Sequence, residues 1–452
     1  MYLIDGPGVS PQPFSSPVQL AALREYLSDG EIETICRQLG HRWRRRILPP
    51  GVTVRSLVYR GLHRDHSIQA VVADLAAGDD GSGLAPSPAA WCQARSRLPT
   101  GLWPALLERS VVRLRRLAGH GHRVFGRPLY VIDGSTVSMP DEPALVQAFG
   151  YAPTKHGPSR FPVARLALLL LAGVEALCGY RLDPYRTAED TQFHALWQIL
   201  PQGAICLCDR HFCSFYNLAK LRQRHIDVVT RLHQRRHPAQ LIARGRGLGQ
   251  DQWLVTLDLS RQLRQRYRDP SLPPTLRVRL IRVLFHRGQK HRCLWLLTTR
   301  LDPQRYPRAI LVNLYRQRWG IETRLASLKT TLQLNVLRSK TPDHVRSEVA
   351  ATLLAHNLVW TLIHQAAQAT HTPPPRISFA DAIKTVLAFS AALRHAPAIA
   401  RTRLYDRMLR EIARRTNLLR PGRVEPRLLK RETARFPFLR ISRDQARQQC
   451  LS

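Results

Sequence analysis

Three acidic residues, far apart in the 452-residue chain, are the ones whose type and setting could do chemistry. Asp133 ends the apolar run PLYVID (128–133), and Asp209 ends the run AICLCD (204–209). Carboxylates at the ends of neighbouring buried strands converge, and convergent carboxylates repel unless a divalent cation neutralises them. A third acid is then expected on the helix that closes such a site, and between 308 and 334 the only one is Glu322. Asp133, Asp209 and Glu322 together would hold two Mg²⁺ ions about 4 Å apart at a scissile phosphate. Taken singly, an aspartate at a strand end is more often a turn or cap residue. The surroundings of Glu322 therefore carry the weight.

At about 100° per residue, Leu314, Ile321, Leu325, Leu328 and Leu332 fall within about 60° of one another, which predicts a buried stripe. Tyr315, Arg318, Glu322 and Lys329 fall on a second line about 80° away. Cations flanking a metal-binding carboxylate are what a phosphodiester substrate requires. A solvated face with an ion pair is the plain alternative for four mixed residues. Cys206, Cys208, His211 and Cys213 form C-x-C-x2-H-x-C, which does not match a paired C-x2-C zinc knuckle. Cys206 and Cys208 fit small apolar positions on one face of a buried strand.

The elements that must position these residues follow from periodicity. After PLYVID, two strands, ARLALLLLAG and VEALCGYRL, meet across a turn near Gly173. A helix over Glu189–Leu200, the strand at 204–209, a helix over Ser214–Arg224 and the strand DVVTRL (227–232) complete the series. Three strands, then helix, strand, helix and strand, is the order of an RNase H-like core, an α/β fold with a mixed sheet flanked by helices. We read residues 126–232 as its first part and 233–308, with QWLVTLDL, LRVRLIRVLF and CLWLLTTR, as an all-β insertion. Residues 309–372 supply the closing helices, Arg308 to Leu334 and Pro342 to Thr370. Residues 1–18 are a flexible lead, 19–125 a helical N-terminal domain and 373–452 a basic helical C-terminal region. Within 19–125, Thr53, Ser67 and Ser87 stand where helix caps belong. Short helices around tight turns in a basic context fit helix-turn-helix DNA binding and an ordinary helical bundle alike.

Charge narrows the partner. The chain carries 69 basic and 32 acidic side chains, a net +37, and only seven of the basic residues are lysine. Apolar residues at 44% suffice for ordinary cores, which excludes a wholly disordered basic protein. A surplus this large calls for a polyanion, most commonly nucleic acid. The window Val163–Cys178 is too short, and too interrupted by Arg165, Gly173 and Glu175, to span a membrane. Eight cysteines without a recognisable secretory signal fit a reducing cytoplasm, and arginine over lysine fits a high-GC bacterium.

The helix residues Tyr315, Arg318, Glu322 and Lys329 spell Y-x2-R-x3-E-x6-K, which resembles the signature of the DDE transposases of bacterial insertion-sequence family four. IDGSTVSMPD around Asp133 and CDRHFCS around Asp209 are similar to the first and second aspartate segments of that family. So are RRRILPPGVTVRSLVYRGL near the N-terminus, the β insertion and the late RPGRVEPRLLKR, so that the resemblance covers most of 20–440. It implies that Asp133, Asp209 and Glu322 bind two Mg²⁺ ions, with Mn²⁺ as a substitute, to cut transposon ends. The freed 3′ hydroxyls are then joined to target DNA, in relatives through a hairpin at the donor end. It implies that Tyr315 and Arg318 grip terminal phosphates and Lys329 a neighbouring one. An insertion-domain tryptophan stacks a flipped base in some relatives, with Trp295 the candidate here and Trp253 the reserve. A strand-core role is the alternative for either tryptophan. The implied partners are terminal inverted repeats and target duplex, with a homodimer in the synaptic complex and no membrane. The implied location is the nucleoid of a bacterial cytoplasm. His211 departs from the family, where the residue two after the second aspartate is usually small. Alternatives are a metal-dependent nuclease that cuts without joining, and a decayed, non-catalytic DNA-binding repressor.

Overall fold

The apolar runs around Asp133 and Asp209 become neighbouring strands of one sheet, as their length and leucine-rich, β-branched content require. The computed structural model of the chain describes residues 26–44, 47–63, 67–77, 86–119, 123–155, 157–287, 290–417, 441, 445 and 448–449. Among these, the side chains of 74, 286–287, 290–292, 317 and 319–326 are outside the description. Residues to Thr416 belong to one compact unit and those from Asn417 to another.

The N-terminal part is helical: α1 (Asp29–Gln38), α2 (Pro50–Leu62), α3 (Ile68–Ala77), α4 (Pro88–Arg97) and α5 (Leu102–Ala118). The hydroxyls of Ser28, Ser67 and Ser87 accept from the amides three residues on, capping α1, α3 and α4. Thr53 is not the cap expected of it. Helix α2 starts earlier, after Pro49, because Pro50 at the first helical position has a preset φ and no amide to satisfy. Thr53 is buried inside the helix, where its hydroxyl donates to the Pro49 carbonyl at 3.0 Å.

The core follows as β1 (Arg123–Val124), β2 (Arg127–Ser138), α6 (Pro143–Phe149), β3 (Tyr151–Thr154), β4 (Gly157–Leu171), β5 (Ala176–Pro184), α7 (Glu189–Trp197), β6 (Ile205–Cys208), α8 (Phe215–Gln223) and β7 (Asp227–Arg231). β2, β4 and β5 pair antiparallel, while β6 lies parallel to both β2 and β7. That is the RNase H-like arrangement expected from the element order. The elements α6 and β3, of seven and four residues, are too short to carry a periodic signal. The insertion contains α9 (Pro238–Ala243), β8 (Arg246–Gly249), β9 (Gln252–Asp258), α10 (Arg261–Tyr267), β10 (Thr275–Arg287) and β11 (Lys290–Thr298). It is β-rich, with two short helices that bury no residue and so leave no apolar pattern to read. β11 pairs antiparallel with β7, which makes the insertion continuous with the core sheet, in the order β3-β4-β2-β6-β7-β11-β10-β9-β8.

Among the described residues up to Thr416 there follow α11 (Arg308–Thr330), α12 (Pro342–Thr370), α13 (Phe379–His395) and α14 (Ala398–Arg414). α11 stops at Thr330, short of the expected Leu334. Gln333 then takes φ +51°, and the chain runs back beside β2, where the Ser138 amide donates to the Asn335 carbonyl and the Leu337 amide to the Ser138 carbonyl. α12 is apolar on nearly every face because it packs against α2, α5, α14 and β5 together. Asn357 on α12 pins three layers, donating to Ser110 Oγ of α5 and to the Leu177 carbonyl of β5, and accepting from the Leu177 amide. The expected helical segment RPGRVEPRLLKRETARFPFL lies outside the described residues. Among the described residues, no helix is long and apolar enough to cross a membrane.

Candidate active site

The parallel register of β2 on β6 pairs Leu129 with Ile205, Tyr130 with Cys206 and Val131 with Leu207. Carried two residues further, past the end of β6, that register would bring Asp133 alongside Asp209. Asp209 stands where expected, just beyond the end of β6. Asp133 does not end its strand. β2 runs on to Ser138, because β4 continues to supply antiparallel partners after β6 has stopped. The end of the apolar stretch at Ile132 marks a change of neighbour. Both aspartates are half-buried, and they line one cavity of about 300 Å³ together with Arg165, Glu189, Gln192 and His211. Asp133 Oδ1 accepts from the Gly134 amide at 2.8 Å, and the Asp209 carbonyl accepts from Thr230 Oγ1 and the Phe212 amide.

Cys206, Cys208 and Cys213 are buried, and burial pushes the Cys213 thiol up to about 11. His211 instead approaches Glu189, with Nε2 3.5 Å from Oε2. These four residues are therefore not a zinc knuckle. Among the described residues, no three His, Cys, Asp or Glu side chains are grouped so as to hold a metal ion. Glu322 lies in α11, but its side chain is outside the described residues, as are those of Ile321 and Leu325.

α11 packs against β2, β6 and β7, with Leu311, Leu314 and Leu328 buried beneath it. Tyr315, expected about 80° from the buried stripe, is itself only 5% exposed. Its neighbour Leu314 faces the sheet, and a ring this large at the edge of the buried stripe is covered by the same contact. Burial pushes its phenol up to about 12; the Asp209 charge adds to that rise, and the Arg318 guanidinium opposes it. Tyr315 is thus within the electrostatic reach of Asp209, and the Arg318 guanidinium carbon is 5.7 Å from its ring centre. Arg318 and Lys329 are half-buried.

Two further cavity residues escaped the sequence reading. Glu189, in the first turn of α7, forms an ion pair with Arg165 of β4. Arg165 Nε donates to the Tyr185 carbonyl at 2.6 Å, and its guanidinium carbon lies 4.5 Å from the centre of the Tyr185 ring. A lone charge inside the apolar stretch ARLALLLL was the available signal. In the insertion, Trp253 of β9 and Trp295 of β11 are half-buried, with ring centres 5.7 Å apart. Arg282 of β10, the cross-strand partner of Trp295, lies 5.8 Å from the Trp253 ring centre.

Residues 125–358 match a family profile described as "Transposase DDE domain", and residues 17–105 match one described as "Insertion element 4 transposase N-terminal". The chain is 26% identical over 428 residues to the transposase InsG for insertion sequence element IS4 of Escherichia coli (strain K12), covering 92% of this chain and 93% of that protein. It is 33% identical over 100 residues to the putative transposase InsZ of the same organism, covering 22% and 33% of the two chains. Among solved structures, it is similar to a piggyBac transposase synaptic complex with hairpin DNA, with TM-score 0.44, 12% identity and coverage of 90% and 87%. The first profile takes in Asp133, Asp209 and Glu322 and spans more than half of the chain, which therefore belongs to the DDE transposases of the IS4 family of insertion sequences.

Proposed function

We propose that this transposase cuts DNA at insertion-sequence ends and joins the freed 3′ hydroxyls to target DNA, with Asp133, Asp209 and Glu322 as its metal-binding triad. The observation that carries the reading is the pair of aspartates, one on β2 and one just past the end of the parallel strand β6, lining one cavity. The helix that bears Glu322 packs over those same strands. Carboxylate oxygens suit hard cations, so Mg²⁺, or Mn²⁺ in its place, fits the donor set. When bound, such a pair of ions would offset the repulsion between the carboxylates and take up charge at the reacting phosphate.

The remaining roles belong to the chain's own groups. Arg318 and Lys329 donate to phosphates flanking the cut. Tyr315, protonated far above neutral pH, cannot act as a base there; its phenol orients Arg318 and donates. Trp295, with Trp253 beside it, offers a partly open aromatic surface on which an unstacked base can rest. The helical region to Ala118 binds the terminal repeat, and two copies pair the two ends in the nucleoid. A net charge of +37 supplies the attraction to duplex DNA.

The deciding experiment is excision from a donor plasmid by wild type and Glu322→Gln, with end binding measured in parallel. The variant should bind the end duplex and fail to cut it. Excision at the wild-type rate would remove Glu322 from the triad, and cutting of a labelled end without integration would reduce the activity to that of a nuclease.

A further inference from the structure

We propose that Arg165 is a DNA-phosphate contact inside the Asp133–Asp209 cavity, held in orientation by Glu189 and Tyr185, with His211 bracing Glu189; this rests on the reading that the cavity receives the scissile phosphodiester. Arg165 is the only charged residue between Val163 and Leu171, opposite Thr136 of the strand that carries Asp133. A guanidinium set into an apolar strand is costly unless it is paired. Its pairing is one-sided: Nε goes to the Tyr185 carbonyl, Nη1 to Glu189, and the Tyr185 ring covers one face. Nη2 has no partner among the described residues, although Arg165 lines the cavity. Its ion pair is with Glu189, a residue outside the proposed metal-binding triad.

Glu189 completes the arrangement. It takes Arg165 with one oxygen and approaches His211 Nε2 at 3.5 Å with the other, which holds it towards Arg165. The guanidinium is thus fixed on two edges, in the cavity that it shares with the acids. Donors fixed before the substrate arrives need no reorganisation as charge develops on the phosphate oxygens, and a planar guanidinium fork fits a phosphate well. Arg165 would then be a cation that acts on the phosphate without competing for the carboxylates Asp133 and Asp209.

The test is binding of the full-length protein, in EDTA, to a duplex ending in the inverted repeat that borders its coding sequence. A series of such duplexes carries a single uncharged methylphosphonate at each position around the cut. Wild type should lose about tenfold in affinity at one phosphate near the cut, the value of one charge-assisted hydrogen bond. Arg165→Ala should bind the unmodified duplex about tenfold more weakly and lose nothing further at that phosphate. Arg165→Lys should recover part of the affinity, and Glu189→Gln should show a reduced methylphosphonate penalty with Arg165 intact. An identical penalty in wild type and Arg165→Ala at every position overturns the proposal. Should Arg165→Ala fail to fold, Arg165→Lys and Glu189→Gln make the same comparison. Asp133→Asn and Asp209→Asn, run alongside, test the underlying reading. If they cut normally the cavity is not the active site, whereas inert aspartate variants without Arg165 coupling refute only the Arg165 contact.

Discussion

Truncating Arg95 to alanine should destabilise the fold by about 3 kcal/mol and reduce cutting more than it reduces end binding. Arg95, on α4, is 3% exposed, and burial pulls its guanidinium down to about 10, with the charge of Glu348 acting against that fall. Its Nη2 donates to Ser339 Oγ at 2.8 Å and to the His344 carbonyl. Ser339 in turn donates its amide to Glu348 at 2.9 Å, as does the Arg338 amide at 3.2 Å, and Arg60 stands 3.9 Å from the same carboxylate. Breaking one side of a buried charged network typically costs about 3–5 kcal/mol. The lower end applies because Glu348 is 16% exposed and keeps its two backbone donors. The functional effect follows from geometry: the segment from Thr331 to Lys340 is held at one end by this network. Nearer its middle it is bonded to Ser138, five residues beyond Asp133. Urea unfolding of wild type, Arg95→Ala, Glu348→Ala and the double variant measures the cost and the coupling. Trp91 is a local probe, with the Arg95 guanidinium carbon 5.8 Å from its ring centre. A loss below about 1 kcal/mol, or strict additivity with Glu348→Ala, would refute the keystone role of Arg95.

Two further outcomes are expected. Gly51→Ala lies within α2, where helix propensity alone favours alanine by about 1 kcal/mol. The added Cβ would sit 1.9 Å from Asp29 Oδ1, the oxygen that takes the buried Arg55 at 2.8 Å, so we expect a net loss of about 1–2 kcal/mol in urea unfolding, and a gain would show that Asp29 yields freely. Tyr315 keeps its proton to about 12 in the fold, against about 10 for a free phenol, so its contribution to stability is full below pH 10 and is lost as pH rises from 10 through 12. Tyr315→Phe should flatten that alkaline loss by at most about 2.7 kcal/mol, and a slope equal to wild type between pH 8 and 11 would contradict the burial of the phenol.

What could be read from the chain, and what could not, divides by the range of the interactions concerned. Asp209 was legible because a run of buried side chains ends there for a local reason, the end of the strand. Asp133 was picked out by the same signal, but its strand continues, because a partner 35 residues away along the antiparallel register still pairs with it at Leu168. Hydrophobic periodicity reports that a residue becomes exposed or changes neighbour; it does not tell the two apart. The depth at which Tyr315 is buried was not legible for a related reason. A helical angle separates faces of an isolated cylinder, whereas a large ring beside Leu314 is covered by whatever sheet lies under the stripe. Thr53 looked like a cap until Pro50, three residues earlier, took over the start of the helix. Arg165 and Glu189 fell outside local pattern altogether, since each looks ordinary alone and their pairing joins a strand to a helix 24 residues on. Yet the cost of placing a guanidinium in an apolar strand is itself local information. An isolated charge in a buried stretch implies a distant partner of opposite sign, and the cavity that Arg165 and Glu189 share with the two aspartates is where such a search along this sequence should have ended.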